Sequence, residues 1–438
     1  MIKRKFIALL STTFLISGLL FQTQINVVVA EKDECSDDVQ HVYYAAGATK
    51  SQTLTNDKLN SEQWALYNNG RFKMEEQQNK FPIYESPFEQ PMKPGKWARP
   101  SKPKQGQRKM SNNTIKTGNI SAVAGIDINI AEAWDLYKSQ RDVTVAIIDT
   151  GIDFNHEDLS DVMWVNQDEI AGNNTDDDGN GYVDDIYGWN FYNDNNNIYV
   201  GKEDDHGTHG AGTITATKGN SVGITGIADE ESVSIMSLKV LGGEDGSGTT
   251  ESIINAIKYA DANGAAICNL SLGTTYYDQA LYNAMANSNM LFVVAAGNGD
   301  SEGGTNIDSV PTYPAAFDLS NIISVANVSC DGNLSSSSNY GENSVDIAAP
   351  GSYILSLTAD NGYAYMSGTS MAAPMVTAVA ALVYTGNADL SLADVKEAIL
   401  TSATPLDTLT GKVNSGGMLN AGAALKYTIT NRNKNEMI

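Results

Sequence analysis

The sequence predicts an α/β fold, a mostly parallel central sheet with helices on both faces, in a single domain. Three observations carry that expectation. Apolar runs at residues 143–148, 233–238, 265–270, 290–296 and 322–325 have the length of strands and little polar alternation, as strands buried on both faces do. Between them lie segments with helical periodicity, at 208–217, 250–263 and 276–287, the second closed by Gly264. Strands that alternate with helices are joined by crossovers and so pair in parallel.

At the start of the chain, Lys3, Arg4 and Lys5 precede an apolar run over residues 6–21, and Val28, Val29 and Ala30 offer small side chains to a signal peptidase. Residues 1–30 therefore read as a secretory signal, too short and wrongly flanked for a stable membrane span. Cys35 lacks the small-residue context of a lipid-anchored cysteine, and no later segment is long and apolar enough to cross a bilayer. The expectation is a secreted, extracellular monomer. Residues 31–55 are polar and irregular, a short leader or extension. Residues 56–70 look more ordered, with Trp64 and Leu66 available for burial.

Composition then shifts. Residues 71–116 carry eleven basic and four acidic side chains and six of the eleven prolines, which reads as an extended insertion without a core of its own. Three readings stay open for it: it lies against the acidic remainder, it is processed, or it is a loop with no role. Further on, an amphipathic helix over 131–137 leads into the first strand. Near the end, Ser391 with Asp394 three residues later forms a capping-box variant ahead of the last helix. A polar tail, 428–438, follows a folded domain expected over 56–427.

Charge excludes one class of partner. Without the signal, 25 basic side chains stand against 52 acidic ones. Phosphate contacts need basic surface, so nucleic acid is not expected as a partner. The three cysteines, Cys35, Cys268 and Cys330, make no disulfide framework, and Cys268 sits in an apolar run as a small core side chain.

Four polar positions stand out against this frame. Ser370, in SGTSMAAP, heads a helix in which Ala372, Val376, Val379, Ala380 and Val383 recur at helical spacing. A helix N-terminus favours negative charge developing on a neighbouring oxygen, although a plain N-cap explains such a serine equally well. Pro374 is expected in the first turn, where it removes no intrahelical bond. Asp149 ends the strand VTVAIID at a carboxyl edge, where open α/β folds place their sites; a turn-forming Asp before Gly151 is the alternative. His206 and His209 open a Gly- and Ala-rich helix in DDHGTHGAGT, and the chain has only four histidines, so the pair calls for a reason. A metal site on that pair lacks a third ligand nearby. Asn298, after MLFVVAAG, supplies an uncharged N–H donor at another carboxyl edge.

Asp149, His206 and Ser370, in that chain order, make an Asp-His-Ser arrangement. With IIDTGID, HGTHGAG and GTSMAAP all intact, the chain resembles the subtilisin-like serine peptidases, the subtilases, over residues 56–427 apart from the basic insertion. The resemblance implies a secreted serine endopeptidase acting on proteins or peptides through an acyl-enzyme. In it Ser370 is the nucleophile, His206 and not His209 the base, and Asp149 its partner. Asn298 and the Ser370 N–H would form the oxyanion hole. It also puts Met371, beside the nucleophile, at risk of oxidation. Substrate would bind as an added strand between Gly246, Ser247 and Gly248 on one side and Ser271, Leu272 and Gly273 on the other. Leu270 to Gly273 and Ala295, Ala296, Gly297 and Asn298 would wall the main specificity pocket. Small or apolar residues there imply apolar or medium-sized side chains before the scissile bond. A narrow processing peptidase and a catalytically dead binding module are the alternatives.

Calcium is the expected structural cofactor. Asp176, Asp178, Asn180, the Tyr182 carbonyl and Asp185 place oxygens at alternate positions with glycines for a tight turn; a solvated acidic loop is the alternative. The family resemblance adds a second site, with Asp57, Asp158 and Asn220 and carbonyls near Thr217, Val222 and Ile224. If Asp57 is a ligand, residues 56–70 belong to the mature enzyme and the basic stretch is internal to the catalytic domain. Residues 31–55 are too few for the folded inhibitory prodomain usual in the family.

Overall fold

The computed structural model describes residues 54–73, 83–85, 96–98, 121–228, 230–243, 246–299 and 303–435. The expected signal and most of the leader lie outside the described residues. In chain order the strands are β1 (Ile83–Glu85), β2 (Lys96–Ala98), β3 (Val143–Asp149), β4 (Gly188–Asn190), β5 (Val233–Lys239), β6 (Ser247–Thr249) and β7 (Ala265–Leu270), then β8 (Leu291–Ala295), β9 (Ile322–Val328), β10 (Ile347–Pro350), β11 (Ile354–Thr358), β12 (Gly362–Ser367), β13 (Thr404–Pro405) and β14 (Gly417–Met418). The helices are α1 (Ile130–Leu136), α2 (Asp205–Thr215), α3 (Thr250–Ala262), α4 (Gln279–Ala286), α5 (Thr369–Thr385), α6 (Leu392–Thr401) and α7 (Ala421–Asn435).

The main sheet runs β13-β14-β10-β9-β8-β7-β3-β5-β4, parallel throughout except where β13 meets β14. The mostly parallel sheet expected from the sequence is present, and period-two alternation explains why its strands read as unbroken apolar runs. Along β3, Val143, Val145 and Ile147 enter the core on one face, while Ala146 and Ile148 enter the core on the other. β8 does the same with Leu291 and Val293 against Phe292 and Val294. Each such aliphatic side chain, fully removed from water, contributes about 1.5–3 kcal/mol.

Helix α5 is buried all round except at Tyr384, as a helix through the middle of a core must be. It shares one core with α2 and with Trp64 and Leu66 from the N-terminal stretch. Trp64 is sealed in by its indole N–H, which donates to the Ser352 carbonyl at 3.1 Å. Helices α3 and α4 cover the opposite face with Ile253, Ile257, Leu281 and Met285. Cys268 is fully buried there, as expected.

Two smaller sheets decorate this frame. β11 and β12 form an antiparallel hairpin, and β1 adds in parallel to β12. β2 pairs antiparallel with β6. Both β1 and β2 come from the basic insertion, whose neck is closed where Lys73 bridges Ser121 and the Ala122 N–H reaches the Phe72 carbonyl at 3.4 Å.

Element boundaries shift for local reasons. α4 starts at Gln279 and not at 276, because Asp278 caps it by accepting the Ala280 and Leu281 N–H groups. α6 carries the expected capping box of Ser391 and Asp394. Among the described residues no helix is long and apolar enough to cross a membrane.

Candidate active site

The carboxyl ends of β3, β7 and β8 lie side by side in the sheet and deliver Asp149, Ser271 and Asn298 to one edge. The N-terminal turns of α2 and α5 bring His206 and Ser370 to the same place. These two helices meet closely: a Cβ on Gly210, one turn after His206, would sit 3.6 Å from the Pro374 ring, one turn after Ser370. α2 also packs tightly on the β3 end, where a Cβ on Gly207 would come within 2.2 Å of the Gly151 carbonyl oxygen. Glycine is the residue that fits there.

His206 is nearly buried, and its Nδ1–H donates to Asp149 Oδ1 at 2.8 Å. The same carboxylate oxygen accepts the Thr150 N–H at 2.7 Å, so Asp149 is fixed as well. With Nδ1 carrying the proton in this network, Nε2 is the lone-pair nitrogen, buried and without a hydrogen-bond partner among the described residues. His209, one turn on, is wholly enclosed. Its Nε2–H meets the Ile354 carbonyl at 2.9 Å, and burial pushes its pKa down to about 3. The two histidines of the motif thus separate, one set on a carboxylate and one neutral in the core.

The Ser370 region corrects one expectation. α5 begins at Thr369, so Pro374 is its sixth residue and lies in the second turn, not the first. A proline there lacks the N–H that would reach back four residues to the Ser370 carbonyl. That carbonyl is taken up instead by the Ser271 hydroxyl at 3.0 Å, while Ser370 Oγ–H points to the Ser271 carbonyl at a long 3.4 Å. Ser271 is itself held by Asn269 Nδ2, and Asn269 Oδ1 accepts from Thr377 Oγ1 on α5. Gly368 precedes the helix at φ +150°, a backbone position that favours glycine.

The Asn298 side chain turns its oxygen onto Thr369, accepting the backbone N–H at 3.0 Å and the hydroxyl at 3.3 Å. Its two amide hydrogens are therefore on the opposite end. The Gly297 N–H donates to Thr369 Oγ1 at 3.1 Å. Leu270, Ser271, Leu272 and Gly273 continue β7, and Ala295, Ala296 and Gly297 continue the adjacent β8; all are buried beside the head of α5. Gly246 lies at φ +57°, and Ser247 and Gly248 form β6. A Cβ on Gly248 would meet the Val240 carbonyl at 2.2 Å.

Sequence reasoning passed over Lys239. This lysine ends β5 opposite Asp149, is fully buried, and places Nζ 2.7 Å from Asp204 Oδ1 and 3.2 Å from Glu203 Oε1. It also donates to the carbonyls of Thr150 and Leu241. Burial pushes the Asp204 carboxyl up and the Lys239 charge pulls it back. The pair pins the residues that precede His206 to the strand that carries Asp149's neighbour. The only signal was a lone cation at the end of an apolar strand.

The acidic loop gathers Glu169, Asp178 and Asp185, whose carboxylate oxygens lie within 4.8 Å of one another. Asn180 Nδ2 bridges Asp178 and Asp185 at 2.9 and 3.0 Å, and Asn166 Nδ2 bridges the same pair at 3.1 and 2.8 Å. Asp176 caps the turn through the Asn180 and Gly181 N–H groups, and the Tyr182 ring packs on Trp189, Phe191 and Tyr259. Glu169 and Asn166 were missed because they precede the regular spacing. The other expected ligands also converge. Asp57 accepts from the Gly219 and Ser221 N–H groups, and Asp158 from Asn220 Nδ2 at 2.7 Å and the Ile224 N–H at 3.0 Å. Both carboxylates are buried with no salt bridge among the described residues, and burial pushes Asp158 up to about 6, with the charge of Asp57 adding to the rise. An all-oxygen donor set short of positive charge suits a hard divalent cation such as calcium.

The sequence profile of the subtilase family matches residues 140–425. Thermitase from Thermoactinomyces vulgaris is 35% identical over 303 residues, 68% of this chain and 94% of its own. The major intracellular serine protease of Bacillus subtilis (strain 168) is 38% identical over 260 residues, 58% of this chain and 72% of its own. Among solved structures, a protease from Pseudoalteromonas arctica PAMC 21717 superposes with a TM-score of 0.54 at 27% identity, covering 69% of this chain and 94% of the other. The family match over residues 140–425 and the likeness to thermitase over 68% of the chain place it in the subtilase family of serine endopeptidases, to which it belongs.

Proposed function

We propose that Asp149, His206 and Ser370 are the catalytic triad of this peptidase, with Asn298 as oxyanion donor. The observation that carries the reading is the imidazole of His206, tied to Asp149 through Nδ1 and left with a buried lone pair on Nε2. Ser370 Oγ attacks the peptide carbonyl carbon and its proton passes to Nε2. Negative charge moves onto the carbonyl oxygen, where the Asn298 amide and the Ser370 N–H stabilise it. The C–N bond breaks as Nε2–H gives its proton to the leaving amine, and an ester to Ser370 remains. Water, deprotonated by the same nitrogen, then releases the acid. Asp149 keeps the tautomer and offsets the imidazolium charge in both halves.

Substrate adds as an extended strand to Gly246–Gly248 and Ser271–Gly273, and the apolar walls from Leu270 and Ala295 favour uncharged side chains before the scissile bond. Calcium, held by Asp178, Asp185, Asn180 and Glu169 in one loop and by Asp57, Asp158 and Asn220 in another, would tie loops to the frame; no step of the reaction runs through it. The basic start and apolar run over residues 6–21 support export, although one relative is named as intracellular.

Labelling by a fluorophosphonate probe tests the central assignment. The wild type should label and hydrolyse casein, and Ser370→Ala should do neither. Retained labelling in that variant would put the nucleophile elsewhere.

A further inference from the structure

The basic insertion lays two described strands on the molecule, one on the β12 edge that leads to Ser370 and one on β6. β1 pairs with β12 so that Glu85 stands opposite Ser367, three residues before Ser370. β2 pairs with β6, with Lys96 opposite Thr249, Trp97 opposite Gly248 and Ala98 opposite Ser247. A strand has two edges. On β6, Ser247 already meets Gly242 along one of them, so β2 holds the other.

We propose that Lys96–Ala98 is a substrate-groove occupant carried within the chain: it takes the place of an extended substrate strand on β6 and holds peptides off until it is displaced. This inference rests on the reading of Gly246–Gly248 as the substrate-pairing segment. Backbone pairing of this kind is indifferent to side chains, so a piece of the chain competes on equal terms with an incoming peptide. Two further features favour the internal competitor. The closed neck at Lys73 and Ser121 tethers it, giving an effective concentration of roughly millimolar order. Charge acts in the same direction: the insertion holds eleven basic and four acidic side chains, against 14 basic and 48 acidic in the remainder after residue 30.

The test uses the full chain with two substrates sharing one apolar residue before the bond cut, a tetrapeptide anilide that reaches β6 and a single-residue anilide that does not. Trp97→Pro with Ala98→Pro removes the N–H donors of the strand. A second variant, residues 94–102 replaced by a Gly-Ser run of equal length, guards against misfolding of the first. Relief of a tethered competitor at roughly ten times its own dissociation constant should lower the tetrapeptide KM by about tenfold. The kcat, and the KM of the short substrate, should stay as in the wild type. Unchanged tetrapeptide KM in both variants, with the wild type still favouring the tetrapeptide over the short substrate, overturns the inference and leaves the groove assignment standing. If lengthening the substrate brings no gain in kcat/KM in any of the three proteins, the groove assignment itself falls and takes the inference with it.

Discussion

Lowering the pH should weaken the fold through His209, in a way that can be separated from every other titrating group. This imidazole is fully buried, and burial holds its pKa at about 3 against an ordinary 6.5. The carbonyls of Ile354 and Ala364 oppose that shift, and the neighbouring His206 adds to it. The sign follows from proton binding: below pH 6.5 the unfolded chain takes up a proton that the folded one refuses. Stability is therefore complete above 6.5 and is lost as the pH falls towards 3. The slope approaches about 1.4 kcal/mol per pH unit, so the loss reaches about 2 kcal/mol at pH 5 and about 3 kcal/mol at pH 4. Urea unfolding of Ser370→Ala protein, which cannot digest itself, gives the curve. His209→Gln in that background keeps a side-chain N–H and removes the titration. It should be the less stable protein at pH 7, and its deficit should shrink by about 2 kcal/mol at pH 5. Parallel pH curves for the two proteins would refute the assignment of a neutral, buried His209.

Three further outcomes are expected. Asn298→Ala should lower kcat by about 10²–10³ with little change in KM, because the lost donor acts on charge that exists only in the transition state; steady-state kinetics on a peptide anilide decides it. Ser271→Ala should remove the hydroxyl that donates to the Ser370 carbonyl and cost about 1–3 kcal/mol in urea unfolding, whereas Ser271→Thr, which keeps the hydroxyl, should recover part of the loss. EDTA should lower the melting temperature, and Glu169→Gln should reduce the shift that added calcium restores; a melting temperature indifferent to chelation would remove the metal from the account.

Much of the frame was legible because strands buried on both faces announce themselves as unbroken apolar runs. β3, β5, β7, β8 and β9 are such strands, and the three polar motifs that follow or face them mark the site. The hairpin of β11 and β12 escaped notice for the opposite reason. Its sequence mixes Ser356, Thr358, Tyr363 and Ser367 with apolar residues, and only the Asp360–Asn361 turn, with φ of +61° and +55°, signals it. β13 and β14 are two residues each and carry no period at all. Within the site, Asp149 and His206 were readable from motif order, whereas Lys239 and Ser271 act through contacts set by the tertiary fold. Ser271 matters because Pro374 offers no N–H to the Ser370 carbonyl and the Ser271 hydroxyl reaches it instead, a contact that spacing along the chain does not reveal. Glu169 is seven residues upstream of the acidic repeat and joins it only because the loop folds back.

The closed neck at Phe72–Lys73 and Ser121–Ala122 has one more consequence. Lys73 and Ser121, the described residues on either side of the excursion, lie side by side, while the segment before them is stitched in by Trp64, by Asp57 on the 219–225 loop and by the paired amide bonds of Gln63 with Thr225. A scissor cut anywhere in that excursion would yield two polypeptides on a denaturing gel and one particle in a sizing column.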